Sequence, residues 1–232
     1  MNMKPQMKPK ITWITSDSFI DCDISIIKEL KKQYEITWFI MLNRKVGRFK
    51  KEDFLNKADF FGVNIEPVIL NFRLRNPRTY NFWFKFSNRI GKLDSDIIYY
   101  NGDITLFNYS FIKSLNKEKL IITIHEGKVK TNSRIQLFMI NLSRKLTIPF
   151  VKYINCFSNS QANLFSEKFN NNKIFVIPLA LKDFGESNVK RLNDEIVFFN
   201  FGRILPKKNI DLLIEAGCNI YEEGYKGFKI AI

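Results

Sequence analysis

Three residues near the end of the chain, Gly202, Arg203 and Lys208, have the types and spacing of a phosphate-binding site. They lie in FFNFGRILPKKNIDLLIEA, residues 198–216, where an apolar run leads through a short loop into a helix-like segment. Glycine lets a ligand approach the backbone, and a helix N-terminus offers unpaired N–H groups and partial positive charge. Arg203 can bind a phosphate with two N–H groups, and Lys208 can act as a point charge. The pattern predicts a diphosphate site, although it also fits a helix start with two solvated lysines.

His125, the only histidine in the chain, ends the apolar run KLIITIH at residues 119–125. We predict that this run is a buried strand, and open α/β sheets bind ligands at the carboxyl ends of their strands. The position therefore suits a ligand-binding histidine. Taken alone, an isolated histidine more often has a structural or surface role.

Seven short apolar runs, rich in β-branched and aromatic residues, must position these groups. They are residues 10–16, 34–41, 65–70, 96–102, 119–125, 153–160 and 173–179. Most are continuously apolar, as expected for strands covered on both faces. Helix-like segments lie between them, including 21–33 and 160–170, the second with Ser160 as its N-cap. Strands alternating with helices predict an α/β fold with a Rossmann-like, doubly wound parallel sheet.

The alternation breaks once and then restarts, which predicts two domains. Residues 1–179 would form the first domain, and residues 180–194, which are polar and without periodicity, would form a linker. Residues 195–232 then follow the pattern of one β-α-β unit. Two strands make only a marginal sheet, so we expect the second domain to be incomplete within this chain.

The formal net charge of +14 favours an anionic partner such as a phospholipid surface, nucleic acid or phosphorylated substrate. Charge also leaves open an alternative function, a non-enzymatic basic α/β module that binds anionic lipid or nucleic acid. The three cysteines, Cys22, Cys156 and Cys218, fit neither a disulfide framework nor a metal site. Together with the lack of a secretory cleavage site and of a long apolar run, they predict a cytoplasmic protein.

Three stretches resemble characteristic segments of GT-B glycosyltransferases of the retaining, family 4 kind. FGRILPKKNIDLLIEA, residues 201–216, is similar to the opening of their second domain. YINCFSNSQANLFSEKFNNNKIFVIPLAL, residues 153–181, is similar to the end of their first domain, and LIITIHEG, residues 120–127, resembles a strand there that ends in HD. Asn209 stands where the family usually has glycine, and asparagine also tolerates unusual backbone angles.

The resemblance implies that Arg203 and Lys208, beside Gly202, grip the diphosphate of a nucleotide-sugar donor. It places His125 in the cleft, near the transferred sugar or the acceptor. In the family, cations at the diphosphate stabilise the charge that develops on the leaving group. The reaction implied is transfer with retention at the anomeric carbon, and it needs neither a metal nor a cofactor.

The resemblance also implies an acceptor side in the first domain. The first predicted strand ends at Ser16 and Asp17 instead of the usual glycine pair, and Glu126 replaces the usual aspartate. These three become candidate acceptor-binding groups. The acceptor implied is a glycan or a lipid-linked molecule in bacterial surface polysaccharide or lipopolysaccharide assembly. The family's glutamate pair, which contacts the donor sugar, would fall beyond Ile232, so we expect the chain to be a fragment with little or no transfer activity.

Residues 72–92, FRLRNPRTYNFWFKFSNRIGK, combine six Lys/Arg with six aromatic residues and contain no acid. This composition fits a core helix with solvated cations, an interfacial helix on anionic lipid, or a stacking surface for single-stranded nucleic acid. Nucleic acid is disfavoured because no nucleic-acid-binding motif is recognisable. The resemblance favours lipid over nucleic acid and would place the protein peripherally on the inner face of the plasma membrane. That interpretation predicts lipid contacts from Arg73, Arg75, Arg78, Trp83, Lys85 and Arg89.

Overall fold

The computed structural model describes residues 8–44, 50–55, 62–73, 76–129, 131, 133–169, 173–179, 196–199 and 209–231. The chain divides into two compact units, Met1–Asp183 and Phe184–Ile232. The predicted linker, residues 180–194, lies outside the described residues, as do Arg75, Gly202, Arg203 and Lys208.

The first unit is built on a seven-stranded sheet in which every neighbouring pair is parallel. The strands are β1 (Lys10–Ser16), β2 (Glu35–Asn43), β3 (Asn64–Leu70), β4 (Ile97–Asn101), β5 (Leu120–Ile124), β6 (Tyr153–Cys156) and β7 (Lys173–Val176). Their order, β3-β2-β1-β4-β5-β6-β7, reverses direction between β1 and β4. The predicted Rossmann-like, doubly wound sheet is confirmed, and its switch point lies where ligands of such folds bind.

Six α-helices of the first unit are described. They are α1 (Ile20–Leu30), α2 (Glu52–Leu55), α3 (Tyr80–Gly91), α4 (Tyr109–Ser114), α5 (Arg134–Thr147) and α6 (Asn159–Ser166). The helix predicted at residues 160–170 is present, but Ser160 is not its N-cap. The Ser158 hydroxyl accepts the bond from the Gln161 N–H at 3.3 Å, and it therefore caps α6. The preceding strand ends at Cys156.

Two apolar clusters cover the two faces of the sheet. Alternate residues of one strand enter different clusters: Trp13 belongs to the cluster that contains Ile20 and Ile27 of α1, whereas Ile14 belongs to the cluster that contains Trp83 of α3. Successive side chains of a strand point to opposite faces. A strand buried on both faces is therefore continuously apolar, which is the pattern seen in the sequence.

Within the basic aromatic stretch, α3 buries one side in the core and leaves Tyr80 and Phe84 exposed. Trp83 is 0% exposed, and Phe86 and Ile90, three and seven residues further on, are buried with it. Trp83 therefore cannot contact lipid, and the membrane contact predicted for it is wrong. Two described cations of the stretch lie on the outside: Arg78 lies over the Phe72 ring at 5.4 Å, and Arg89 pairs with Glu66.

The second unit contains β8 (Ile196–Phe199), α7 (Ile210–Glu222) and β9 (Phe228–Ala231), and the two strands are parallel. This is the predicted β-α-β unit. Gly217 lets the helix lie close to the sheet, because a Cβ atom there would come 2.4 Å from the Ile230 Cδ1 atom. Asn209, at the start of α7, has φ 49° and ψ 42°, the left-handed conformation that glycine and asparagine tolerate best. Across the described ranges of both units, no helix is long and apolar enough to cross a membrane.

Candidate functional site

A cleft of about 260 Å³ lies at the carboxyl edge of the first unit's sheet. It is lined by residues that follow β4 and β5 and by residues of α5. They include Gly102, Asp103, His125, Glu126, Ile140 and Arg144. His125 comes directly after β5 and Gly102 directly after β4, so the parallel strands bring both to one edge. The cleft therefore lies next to the switch point of the sheet.

The imidazole of His125 is held between aromatic rings. It stacks on Phe19 with 3.6 Å between ring centroids and an interplanar angle of 12°, and Phe157 lies 4.9 Å away on a tilted plane. Burial disfavours the charged imidazolium and lowers the pKa of His125 to about 4. At neutral pH, His125 is therefore a neutral hydrogen-bonding group in an aromatic setting.

A chain of buried hydrogen bonds fixes the orientation of this imidazole. The Nε2 atom of His125 lies 2.7 Å from the Oδ1 atom of Asn101, the last residue of β4. The Asn101 Nδ2 atom in turn donates to the Oδ1 atom of Asp23 at 2.7 Å. Asn101 is 0% exposed and Asp23 is 1% exposed, so water does not compete for these bonds.

Asp23 is a buried carboxylate that accepts hydrogen bonds at both oxygens. Its Oδ2 atom receives the indole N–H of Trp13 at 2.8 Å and the hydroxyl of Thr15 at 2.5 Å. The Thr15 oxygen accepts from the indole N–H of Trp38 at 2.9 Å. Burial raises the pKa of Asp23 to about 6, and these bonds oppose that rise. Asp23 is therefore ionised at neutral pH.

The loop after β5 is held by two helices. The Arg144 guanidinium of α5 donates to the backbone oxygens of Glu126 at 2.7 Å and Gly127 at 3.1 Å. On the other side, the Gly127 N–H donates to the Gln161 Oε1 atom of α6 at 2.5 Å. A Cβ atom at Gly127 would lie 2.2 Å from the Gln161 backbone oxygen, so only glycine fits this approach. Arg144 thus fixes the loop and also presents a cation to the cleft.

The structure brings only part of the predicted acceptor side together. His125 and Glu126 both line the cleft. Ser16 is 3% exposed, and neither it nor the half-buried Asp17 is among the described residues that line the cleft. The Asp17 N–H donates to the Met41 backbone oxygen at 3.0 Å, which ties this turn to β2.

Three residues of the site, Asp23, Asn101 and Arg144, were missed by the sequence reasoning. Asp23 had a readable signal, because it occupies a position on the apolar stripe of α1 between Ile20 and Ile27. A carboxylate at such a position is almost never buried without partners. Asn101 is the last residue but one of the predicted strand 96–102, near the end where His125 ends its own run. Arg144 had no comparable signal, since a basic residue in the last turn of a helix is ordinary.

The described residues contain no group of three or more His, Cys, Asp or Glu side chains arranged to hold a metal ion. The cysteines Cys22, Cys156 and Cys218 form no disulfide with one another.

No protein-family model matches the sequence, and no curated protein has a matching sequence. Solved structures do match. A glycosyltransferase from Rickettsia africae has a TM-score of 0.63 at 16% identity, covering 97% of this chain and 61% of that one. A putative UDP-N-acetylglucosamine 2-epimerase from Listeria monocytogenes has a TM-score of 0.60 at 14% identity, covering 97% and 62%. S. aureus MnaA, solved with UDP, has a TM-score of 0.53 at 15% identity, again covering 97% and 62%.

These likenesses establish a fold. The chain spans about three fifths of the length of these three structures, and all the identities are far below 25%. The Rossmann-like sheet with its alternating helices therefore has the GT-B type of architecture, as the sequence predicted.

Proposed function

We propose that this chain belongs to a glycosyltransferase that moves a sugar from a nucleotide-sugar to a glycan or lipid-linked acceptor in bacterial surface polysaccharide or lipopolysaccharide assembly. The first unit binds the acceptor, and the second begins the donor-binding domain. The observation that carries the proposal is the neutral His125, oriented by Asn101 in a cleft beside the switch point of a GT-B-type sheet. Because the chain spans about three fifths of the structures it matches, the activity of the whole protein is part of the proposal.

The chemistry of the cleft suits a carbohydrate. Sugars present hydroxyl groups and apolar ring faces, and the cleft offers a neutral imidazole beside the Phe19 ring. Arg144 adds a fixed cation and Glu126 and Asp103 add carboxylates, which can bind hydroxyl groups from several sides. Because the His125 imidazole is neutral, it can form a hydrogen bond with a sugar hydroxyl without attracting anions. The contribution of this side chain to binding therefore does not depend on charge.

The donor side of the proposal rests on Gly202, Arg203 and Lys208 and on the family resemblance. Leaving-group charge would develop on the diphosphate, and two positioned cations would lower the barrier electrostatically. We expect Arg203→Ala and Lys208→Ala each to weaken UDP binding by about tenfold or more, since one charge-assisted hydrogen bond contributes roughly 1.5–3 kcal/mol. Lys207→Ala is the matched control. Because we expect the donor domain to be incomplete in this chain, calorimetric titration with UDP compares the three variants in a full-length version with a complete donor domain, and equal affinities would remove these residues from the donor site.

The imidazole of His125 gives a direct test of the acceptor side. Because the chain has one histidine, its ring signals in an NMR spectrum of tag-free protein are unambiguous. We expect saccharides and nucleotide-sugars to shift these signals, and a single-stranded oligonucleotide to leave them unchanged. The reverse pattern would favour the basic-module alternative and overturn the proposal.

A sugar-nucleotide epimerase is the second candidate, because two of the matched structures are described as UDP-N-acetylglucosamine 2-epimerases. The two activities differ in their need for an acceptor. Incubation of a full-length version, in which the donor domain is complete, with UDP-N-acetylglucosamine alone, followed by proton NMR of the sugar, separates them. We expect no epimerised sugar, and accumulation of the 2-epimer would reassign the site.

The partner surface that we propose for membranes is the outer stripe of α5, defined as Ile135, Phe138 and Leu146. Phe138 and Leu146 follow Ile135 by three and eleven residues, so the three side chains lie on one face of the helix. Ile135 is 78% exposed and Phe138 is 63% exposed. Arg134 and Lys145 flank the stripe, and α5 contains no acidic residue. An apolar stripe beside cations fits an anionic membrane surface. This surface would hold the protein on the inner face of the plasma membrane, and the contacts predicted for Arg73, Arg75, Arg78, Lys85 and Arg89 stay a prediction beside it.

A further inference from the structure

The hydrogen-bond chain from Asp23 through Asn101 to His125 has a direction that its donors impose. An indole N–H can only donate, so both Trp13 and Trp38 donate. Since the Thr15 oxygen accepts from Trp38, the Thr15 hydroxyl hydrogen is directed to Asp23. Asp23 therefore receives two donated hydrogens at its Oδ2 atom.

The Asn101 side-chain amide donates on one side and accepts on the other. An ionised carboxylate only accepts, so the Asp23 Oδ1 atom must face the Asn101 NH₂ group. The Asn101 oxygen is then the atom that faces His125 Nε2 at 2.7 Å. Because this oxygen can only accept a hydrogen bond, the hydrogen between the two atoms must be carried by Nε2 of His125. The proton of the neutral imidazole consequently lies on Nε2, and Nδ1 keeps its lone pair.

The Nδ1 atom is the acceptor that remains. Among the residues that the structure describes, no hydrogen-bond partner of Nδ1 is present, and the His125 ring lines the cleft. We propose that Asp23 is a positioning residue that acts through Asn101 to hold His125 in the Nε2–H tautomer, so that Nδ1 accepts a hydrogen bond from a ligand hydroxyl. The tautomer follows from the geometry of these hydrogen bonds. The role of Nδ1 as the acceptor for a sugar hydroxyl rests on the proposed function.

The tautomer of the free protein is directly measurable. The two nitrogens of the single imidazole give separate ¹⁵N signals, and protonated and lone-pair nitrogens differ widely in chemical shift. We expect Nε2 to have the protonated shift and Nδ1 the lone-pair shift at neutral pH in the tag-free 232-residue chain. A protonated Nδ1 in the folded wild-type protein overturns the proposal.

Asp23→Asn should reverse the donor and acceptor roles along the hydrogen bonds that link residue 23, Asn101 and His125. The new side chain must keep its oxygen toward Trp13 and Thr15, which both donate, so its NH₂ group faces Asn101. The Asn101 amide must then turn to accept, and its own NH₂ group meets Nε2 of His125. We expect the imidazole to change from mainly Nε2–H to mainly Nδ1–H.

Asp21→Asn is the matched control, because it removes the same charge from the same helix and leaves the three bonds of Asp23 in place. We expect the Nε2–H tautomer to persist in this variant. A folded Asp23→Asn protein that also keeps this tautomer contradicts the role assigned to Asp23.

Acidification tests the same coupling in the wild-type protein, without a substitution. Burial raises the pKa of Asp23 to about 6 and lowers that of His125 to about 4. Between these values Asp23 gains a proton while His125 stays neutral, so the tautomer should switch toward Nδ1–H as the pH falls through about 6. Asp21 and Tyr99 are the titratable groups that interact electrostatically with Asp23.

The charged groups that share the cleft with His125 are Asp103, Glu126 and Arg144. Their contribution can be separated from that of Asp23 by repeating the titration with Asp23→Asn. We expect no further tautomer change in that variant between pH 6 and about 4, because the group that titrates there is absent. A pH-dependent switch that survives the substitution would assign the effect to the cleft and not to Asp23.

A saccharide titration separates failure of this inference from failure of the proposed function. A ligand hydroxyl that donates to Nδ1 moves the Nδ1 signal and leaves Nε2 protonated. If the free protein has the Nε2–H tautomer and saccharides move neither signal, the inference about Asp23 stands and the proposed function fails. If saccharides move the Nε2 signal instead, the assignment of Nδ1 as the ligand acceptor fails.

Discussion

Two helices of the first unit, α3 and α5, combine apolar residues with cations and contain no acid, yet the structure uses them differently. In α3, Trp83, Phe86 and Ile90 are buried, and they recur at the spacing of one helical face. In α5, only Ser143 and Thr147 are fully buried, while Ile135 and Phe138 are mostly exposed. Composition is therefore a poor guide to which of two such helices meets solvent or a partner.

The physical difference lies in which side of each helix the rest of the unit covers. α3 packs one side on Tyr100 of β4 and Phe111 of α4 through Trp83, and it leaves Tyr80 and Phe84 exposed on the other side. On α5, one side lies along the cleft through Ile140, and the outer stripe has no described neighbour that covers it. A helix buries as much apolar surface as the sheet beside it can cover. What remains outside is available to a partner.

Removal of the Trp83 side chain should give the largest effect on stability. Trp83→Ala leaves a cavity in the core, and we expect the free energy of unfolding to fall by about 3–5 kcal/mol. Phe84→Ala, on the exposed side of the same helix, should lower it by less than about 1 kcal/mol. Urea denaturation with unchanged m values measures both. Equal losses for the two variants would mean that α3 does not pack as described.

Polar substitution of the outer stripe should affect membrane binding and leave the fold intact. Ile135→Ser with Phe138→Ser should weaken binding to anionic vesicles by at least about tenfold, since burying one such side chain contributes roughly 1.5–3 kcal/mol. Tyr80→Ser with Phe84→Ser, the exposed aromatics of α3, is the matched control. Vesicle flotation, with unfolding curves alongside, compares the pairs. If the α3 pair reduces flotation and the α5 pair does not, the membrane surface lies on α3 after all.

Charge removal at the same helix should have a smaller effect. Each Lys or Arg near an anionic surface contributes about 1 kcal/mol, so Lys145→Gln should reduce vesicle affinity roughly fivefold. Lys85→Gln, at an exposed position of α3, should change it little. Vesicles without anionic lipid should show no difference between Lys145→Gln and the wild type. Equal sensitivity at the two lysines would indicate a diffuse attraction to the net charge of +14 and not a defined face.

The weakest expected effect concerns the ion pair of Arg89 with Glu66. Arg89 also lies over the Phe39 ring at 5.0 Å, but its side chain is 54% exposed. Exposed pairs contribute about 0–1 kcal/mol, so Arg89→Gln should lower the free energy of unfolding by no more than that. Urea denaturation at low and high salt measures the loss. A loss comparable with that of Trp83→Ala would show that the outer face of α3 is also part of the core.

The fold was predictable because its signals are local. The first predicted strand, 10–16, coincides with β1, and the runs at 119–125 and 173–179 contain β5 and β7. Continuous apolar runs identify doubly covered strands whatever their neighbours are. The N-cap was wrong by two residues because Ser158 and Ser160 have the same side chain, and only the backbone geometry selects between them. The predicted diphosphate residues lie outside the described residues and stay a prediction.

The candidate site was only half predictable. His125 was identified because it ends a predicted strand, whereas Asn101, the last residue of the neighbouring β4, was not singled out although it lies near the same edge of the sheet. The bonds that link Asn101 to Asp23, 78 residues away along the chain, depend on β1 and β4 lying side by side. Arg144 joins the site only because α5 crosses the loop after β5. Such partners are near in space and distant in sequence, so no local pattern reveals them.

The order of strands and helices, the excess of positive charge and the single histidine at a strand end were determined by the sequence itself, since each is a property of residue types and short-range spacing. The tertiary structure decided which apolar faces are covered, how much apolar surface each of the two basic helices leaves exposed, and that a buried carboxylate orients His125. Those outcomes depend on contacts between residues far apart along the chain, where burial changes both the free energy of a polar group and the partners within its reach.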